Sequence, residues 1–523
     1  MEYQFKTAPY AHQVVALKRT AREPAAGLLM QQRTGKTKVV IDTSAVLHSE
    51  GHIDALFVVA PNGVHRNWLT EEIPIHLPDW VQRHCVLWTG ADTKKQAAAL
   101  EALFNPGTHL RVFAMNIEAI STKRGYEFAK RVLNSLRCLW VIDESTRIKT
   151  YDTVTVQNIM KLRDKAPYRR ILNGTPVTEG PLDLFSQLMF LSDDAVPVQS
   201  YVAFRNRYAE FAPADDYLVG KIMRDNLRRA GRWDLLNRLE TGELPATDFS
   251  LRRWVPLIPA RDENGAPKYK NLDELQSYVD KWCYRVLRKD CGDIPEKLYK
   301  RWTVEYPEAQ RKVINMHLNN LRKGFTPQPV NKLTAVMLYQ RLLCGLVPRQ
   351  LLESGVDEPM FEKPEDNPRL QAILDIAEEY RGQPTIIWAR FRRDLHEIST
   401  LLEKRYEQPV ARYWGDISGE DREEAKQGFQ AGKYRFFVGQ QGAGGVGLPL
   451  HAAEIMVYHS NTFSLYHRLQ SEDRAENLAK KIGTLVIDLE TPGTVDGKII
   501  GALRNKQDVA DLITGDESTE WLR

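Results

Sequence analysis

The residues most able to do chemistry sit in LLMQQRTGKTKVVID at 28–42, where Gly35-Lys36-Thr37 joins a polar loop to an apolar stretch. A strand, a loop and a helix in that order aim backbone N–H groups and a helix N-terminus at a phosphate, whose charge they stabilise. Arg33, Thr34 and Gly35 would line the loop. Lys36 would reach the β- and γ-phosphates of ATP, and Thr37 would place its hydroxyl on Mg²⁺. Met30 stands where the loop pattern has its first glycine. Alone, the triplet also fits a plain helix start with an exposed lysine. A second signal narrows the reading: VIDES at 141–145 ends an apolar run with two adjacent acids. Phosphoryl transfer to water needs one carboxylate for the metal and another for the water. Asp143 suits the first role and Glu144 the second.

These groups need a sheet to hold them. LFVVAP at 56–61, LRVFAM at 110–115 and LWVIDES at 139–145 read as buried parallel strands. Each opens into a polar loop, and ligands of open α/β sheets sit at such carboxyl ends. The texture returns in PTIIWARF (384–391), YRFFVGQQ (434–441), EIMVYHS (454–460) and TLVIDLE (484–490). The fold class expected is α/β: two parallel-sheet lobes with a mainly α-helical insertion between them. The expected division is 1–195 for the ATP-binding lobe and 196–300 for a basic insertion with a crossing segment. A helical segment and linker (301–365) and a second lobe (366–523) follow.

Within the insertion, Lys221, Arg224, Arg228, Arg229, Arg232 and Arg238 surround Trp233, a pairing that can track a nucleic-acid backbone. Asp225 and Asp234 make a solvated helical face an equal reading. RDENGAPKYK at 261–270 reads as an exposed turn or hairpin, and DEPMFEKPEDNP at 357–368 as a linker. Trp68 reads as core packing at a helix start.

The 523 residues exceed what one core supports, and 43% hydrophobic with 27% charged residues is ordinary for a globular chain. No apolar run approaches the roughly 20 residues that span a bilayer. MEYQFKTAPY has no basic-then-apolar leader, so a cytoplasmic protein is expected. Cys85, Cys138, Cys283, Cys291 and Cys344 form no CxxC pair, which argues against disulfides and a zinc site. The histidines are scattered, and no metal is expected except nucleotide-bound Mg²⁺. A net charge of +4 permits a nucleic-acid partner without requiring one.

The ordered motifs resemble the helicase superfamily-two set, in its Swi/Snf-type branch and its short bacteriophage-encoded members. His12-Gln13 is similar to the segment whose glutamine reads adenine. VVAPNGVHRNWLTEE (58–72) and AMNIEAI (114–120) resemble motifs Ia and Ib, and DEST (143–146) resembles motif II. LNGTPVTEGPLDLFSQLMFL (172–191) resembles motif III, and RVLRKDCGDIPEKLYKRWTVEY (285–306) the crossing from one lobe to the other. GAGGVGLPLHAAEIMVYH (442–459) and QSEDRAEN (470–477) resemble motifs V and VI.

The resemblance implies that the two lobes are RecA-like and that the chain is an ATP-dependent DNA helicase or translocase, hydrolysing ATP at the cleft between them. It implies that Gln470 and Arg474 reach across that cleft, with Gly445 and Gly447 near the nucleotide. Asn62, Arg66, Asn116, Thr175 and Gly444 would grip DNA backbone with little sequence preference. Replication or recombination proteins are further candidate partners, and a phage-encoded member would work in the host cytoplasm. Two departures stand out: Asn477 replaces a second arginine, and Thr146 replaces the usual acid or histidine. A nucleotide-binding nucleic-acid scaffold with weak turnover, or an RNA helicase, are the alternative readings.

Overall fold

The computed structural model describes residues 3–211, 217–245, 251, 260, 267–291, 297–323, 325, 332–442, 450–476 and 482–514. Seven strands form the first sheet: β1 (Ala25–Met30), β2 (Ala55–Ala60), β3 (Arg83–Leu87), β4 (Leu110–Asn116), β5 (Cys138–Asp143), β6 (Tyr168–Leu172) and β7 (Cys283–Val286). Their order is β3-β4-β2-β5-β6-β1-β7, and every pairing is parallel. Strands β1, β2 and β5 are buried along their whole length, which is why they read as continuous apolar runs. Successive residues of β5 serve opposite faces: Trp140 and Ile142 join one core, Leu139 and Val141 the other.

The second sheet holds β8 (Leu298–Thr303), β11 (Thr385–Trp388), β12 (Ala411–Tyr413), β13 (Phe436–Gly439), β14 (Ile455–Tyr458) and β15 (Leu485–Glu490). Its order is β12-β13-β11-β14-β15-β8, again all parallel. A short antiparallel ribbon joins β9 (Leu346–Val347) to β10 (Glu358–Pro359). The two expected parallel-sheet lobes are therefore present.

Sheet membership corrects the expected division at 300 and 365. Strand β7 pairs with β1 and so belongs to the first lobe. Strand β8 pairs with β15 and opens the second. The helices Glu308–Lys323 and Lys332–Leu343 pack on the second lobe's core through Ile314, Leu338 and Leu342. The physical reason is edge position. Both strands have a neighbour on one side only, and β8 (LYKRWT) keeps its charged residues toward solvent, so neither shows a long apolar run.

The insertion contributes Tyr201–Tyr208, Tyr217–Arg229, Trp233–Glu240 and Leu272–Trp282, all helical. Met223, Leu227, Leu235, Leu236 and Leu239 form a small core of their own. Of the expected hairpin at 261–270, residues 261–266 lie outside the described residues, and Tyr269 bridges to Ala209 in antiparallel fashion. The last helix, Val495–Thr514, leaves the second lobe to pack against Leu272–Trp282, and Ala510 enters the first lobe's core. Among the described residues no helix is long and apolar enough to cross a membrane.

Candidate functional site

The loop after β1 turns through two left-handed residues, Arg33 (φ 67°) and Gly35 (φ 82°). Gly35 caps the helix Lys36–Ser49, and a Cβ there would fall 1.8 Å from Gln13 Nε2. That closeness explains the glycine. Gln13 accepts from the Tyr10 N–H at 2.9 Å and donates to the Thr34 carbonyl at 3.2 Å. His12 Nε2 lies 2.8 Å from the same carbonyl. The glutamine segment and the loop are thus one bonded unit.

Lys36 is buried and donates to the carbonyls of Met30 (2.8 Å) and Gln31 (3.2 Å). Met30, the departure from the loop pattern, is a fully buried strand end that supplies one of those carbonyls. Thr37 lies half-buried in the helix's first turn.

Asp143 and Glu144 follow at the end of β5, two strands away in the sheet. Asp143 Oδ2 accepts from the Trp68 indole at 2.8 Å, and Oδ1 from the Glu144 N–H at 2.9 Å. Glu144 adopts φ 52°, a left-handed conformation uncommon for a side chain with a Cβ. Such strain concentrates at functional sites. Its Oε1 accepts from Gln32 Nε2 at 2.8 Å, while Oε2 is buried without a hydrogen-bond partner among the described residues. Burial, and then the charge of Asp143, push the Glu144 carboxyl up to about 7. Burial raises Asp143 as well, against the opposing hydrogen bond from Trp68. Glu72, one turn after Trp68 in a π-helical stretch, is also pushed up to about 7 by burial and by Asp143.

The segment that follows β5 is bonded to the one that follows β6. Asn173 Nδ2 donates to Ser145 Oγ and to Thr146 Oγ1, both at 3.1 Å, and Ser145 Oγ donates to Gln187 at 2.6 Å. Thr146 is thereby linked to the segment after β6.

From the second lobe, Arg474 follows the helix Leu465–Asp473. Its guanidinium lies 5.2 Å from the centre of the Trp388 ring, and its carbonyl accepts from Arg33 Nη2 at 3.3 Å. Arg33 Nη1 lies 2.7 Å from His451 Nδ1. Gln470 donates to the Tyr466 hydroxyl at 2.6 Å, and Arg147 sits 5.8 Å from the centre of the Tyr466 ring. Arg33 and Arg147 of the first lobe thus touch the second lobe directly, at the Arg474 carbonyl and the Tyr466 ring.

Asn62 and Arg66 are exposed beyond β2, while Asn116 and Thr175 are half-buried at the ends of β4 and β6. All four share the carboxyl-end rim of the first sheet. Gly444, Gly445, Gly447 and Asn477 lie outside the described residues. In the insertion, Arg228 pairs with Asp225 and Glu240, and Arg232 with Asp234. That favours the solvated-face reading. Sequence reasoning missed Gln32, Glu72 and the bond from Trp68. The signal available was WLTEE, whose i, i+4 spacing puts Trp68 and Glu72 on one face.

Residues 12–344 match the SNF2-related domain model, and residues 368–477 the helicase conserved C-terminal domain model. The putative ATP-dependent helicase/translocase YwqA of Bacillus subtilis (strain 168) is 24% identical over 55% of this chain and 31% of its own length. The Mus musculus SWI/SNF-related regulator of chromatin subfamily A containing DEAD/H box 1 is 22% identical over 93% of this chain and 47% of its own. The chain thus spans about a third to a half of these relatives. A Sulfolobus solfataricus SWI2/SNF2 ATPase core solved in complex with dsDNA aligns with TM-score 0.39 and 17% identity, covering 99% of this chain and 95% of that one. With more than half of its length matched by that first model, the chain belongs to the SNF2-related domain family.

Proposed function

We propose that this chain is an ATP-driven DNA translocase or helicase that hydrolyses ATP between its two lobes. One observation carries the reading: two buried adjacent carboxylates lie beside a lysine-bearing loop, and Glu144 Oε2 has no partner among the described residues. Membership of the family and the helicase/translocase name of the Bacillus subtilis relative support it.

In this reading the N–H groups of Arg33 to Thr37 and the helix N-terminus cradle the phosphates. Lys36 exchanges two carbonyls for phosphate oxygen, and Gln13 reads adenine. Thr37 and Asp143 fit Mg²⁺, since both offer oxygen donors. Bound there, the ion neutralises charge that develops on the phosphates. Glu144 Oε2 takes the proton of the attacking water, and a carboxyl near 7 is well matched to that task. Arg474 leaves the Trp388 ring to meet the γ-phosphate, with Gln470 beside it. Gly445 and Gly447 complete the nucleotide site.

Asn62, Arg66, Asn116, Thr175 and Gly444 take the DNA backbone, which carries no sequence information by itself. The cytoplasm, that of a bacterial host for a phage-encoded member, is the proposed location. Replication or recombination proteins are the proposed partners. Phosphate release measured against duplex, single-stranded and forked DNA and against RNA tests the reading. Stimulation by DNA above RNA is expected, and stimulation by RNA alone would overturn it.

A further inference from the structure

Away from the nucleotide, the second lobe buries three chemically distinct groups together. Cys344 follows the helix Lys332–Leu343, Asp394 lies in the first turn of the helix Arg392–Tyr406, and His459 follows β14. They are far apart in sequence, so no spacing pattern announces them. One donor atom from each lies within 4.8 Å of the others, and all three side chains are buried.

The backbone of this cluster is fixed while several of its side-chain polar atoms are left unpaired. The His459 N–H donates to the Trp388 carbonyl at 2.9 Å, and its carbonyl accepts from Arg369 Nε at 2.8 Å. The Cys344 carbonyl accepts from Asn367 Nδ2 at 3.1 Å. Yet among the described residues both ring nitrogens of fully buried His459, and Asp394 Oδ2, have no hydrogen-bond partner. His459 Nδ1 lies 3.5 Å from Asp394 Oδ2, too long for a hydrogen bond, while the Cys344 thiol hydrogen-bonds to the Asp394 carboxyl. Native interiors rarely leave such groups unsatisfied.

We propose that Cys344, Asp394 and His459 bind one divalent transition-metal ion of the zinc class within the second lobe. A thiolate, an imidazole and a carboxylate form a borderline-soft donor set, which suits zinc or cobalt and not magnesium or calcium. One ion would satisfy the orphaned carboxylate oxygen and a ring nitrogen together. It would also tie two helices to the end of a central strand. Burial opposes ionisation of the carboxyl and the thiol. The Asp394 charge adds to burial in raising the thiol, while a hydrogen bond from Cys344 and the nearby Arg369 and Arg341 oppose burial and Glu397 at the carboxyl, so a bound ion would displace the protons of both groups.

The test is a cobalt titration of the full chain after removal of metal by chelation, followed by visible and near-ultraviolet absorbance. One equivalent of Co²⁺ is expected to give tetrahedral visible bands and a thiolate charge-transfer band, both displaced by Zn²⁺. Cys344→Ser should lose the thiolate band. Cys85→Ser, which removes an exposed thiol outside the cluster, should keep it. The parent titration needs no variant, so failure of Cys344→Ser to fold leaves the test intact. Absence of stoichiometric cobalt binding in the parent would overturn the proposal. So would a thiolate band that survives Cys344→Ser or disappears in Cys85→Ser.

Discussion

Trp68 Nε1 donates to Asp143 Oδ2 across 2.8 Å, tying the π-helical turn after β2 to the acid that ends β5. The bond favours the ionised carboxylate against the burial that opposes it. Trp68→Phe removes the donor and leaves a small void in the core around it. The expected result is a loss of about 1–3 kcal/mol in denaturant unfolding, the scale for a hydrogen bond to a charged group. ATP hydrolysis should also require more Mg²⁺ for half-maximal rate. A magnesium dependence identical to the parent's would show that Trp68 serves packing alone.

Glu144 gives a prediction about pH and stability. Its folded carboxyl is pushed up to about 7 from an ordinary value of 4.5. Between those values the folded state holds more proton than the unfolded chain, so stability falls as pH rises through that window. Above it the cost is constant. Glu144→Gln cannot ionise and escapes the cost. The variant should therefore match the parent most closely near pH 4.5 and gain on it up to about pH 8, by up to roughly 2–3 kcal/mol. Urea midpoints across that range check it, and a pH-independent difference would contradict the buried-carboxylate account.

Most of the frame was legible because parallel strands buried on both faces must be apolar throughout. The β2, β4, β5, β11, β13, β14 and β15 runs announced themselves in that way. The placing of Lys36 after β1 and of Asp143 and Glu144 at the end of β5 was equally legible, since it depends on local order along the chain. Edge strands β7 and β8 were not, because one free side relaxes the demand for apolar residues. Nor were contacts made by folding alone. Trp68 meets Asp143, and Cys344 meets His459, only once distant segments pack.

The insertion arginines supply a third test. Arg228 and Arg232 are each paired with carboxylates of the insertion helices, and those exposed pairs leave little net charge for DNA. Neutralising Arg228, Arg229 and Arg232 together should leave the salt dependence of DNA affinity unchanged. An arginine that does hold a phosphate would, once neutralised, lower the log–log slope by about 0.7–0.9. A fall of two or more such steps would place these helices in the DNA groove.

The central claim is that Glu144 activates the water that cleaves ATP, and single-turnover phosphate release by Glu144→Gln in saturating DNA tests it most directly. Glutamine keeps the shape, the Gln32 contact and the neighbouring Asp143, so ATP and DNA should bind as in the parent. Release should slow by about 10²–10⁴-fold, the usual cost of losing a general base. Release at near the parent rate, with binding intact, would contradict the account.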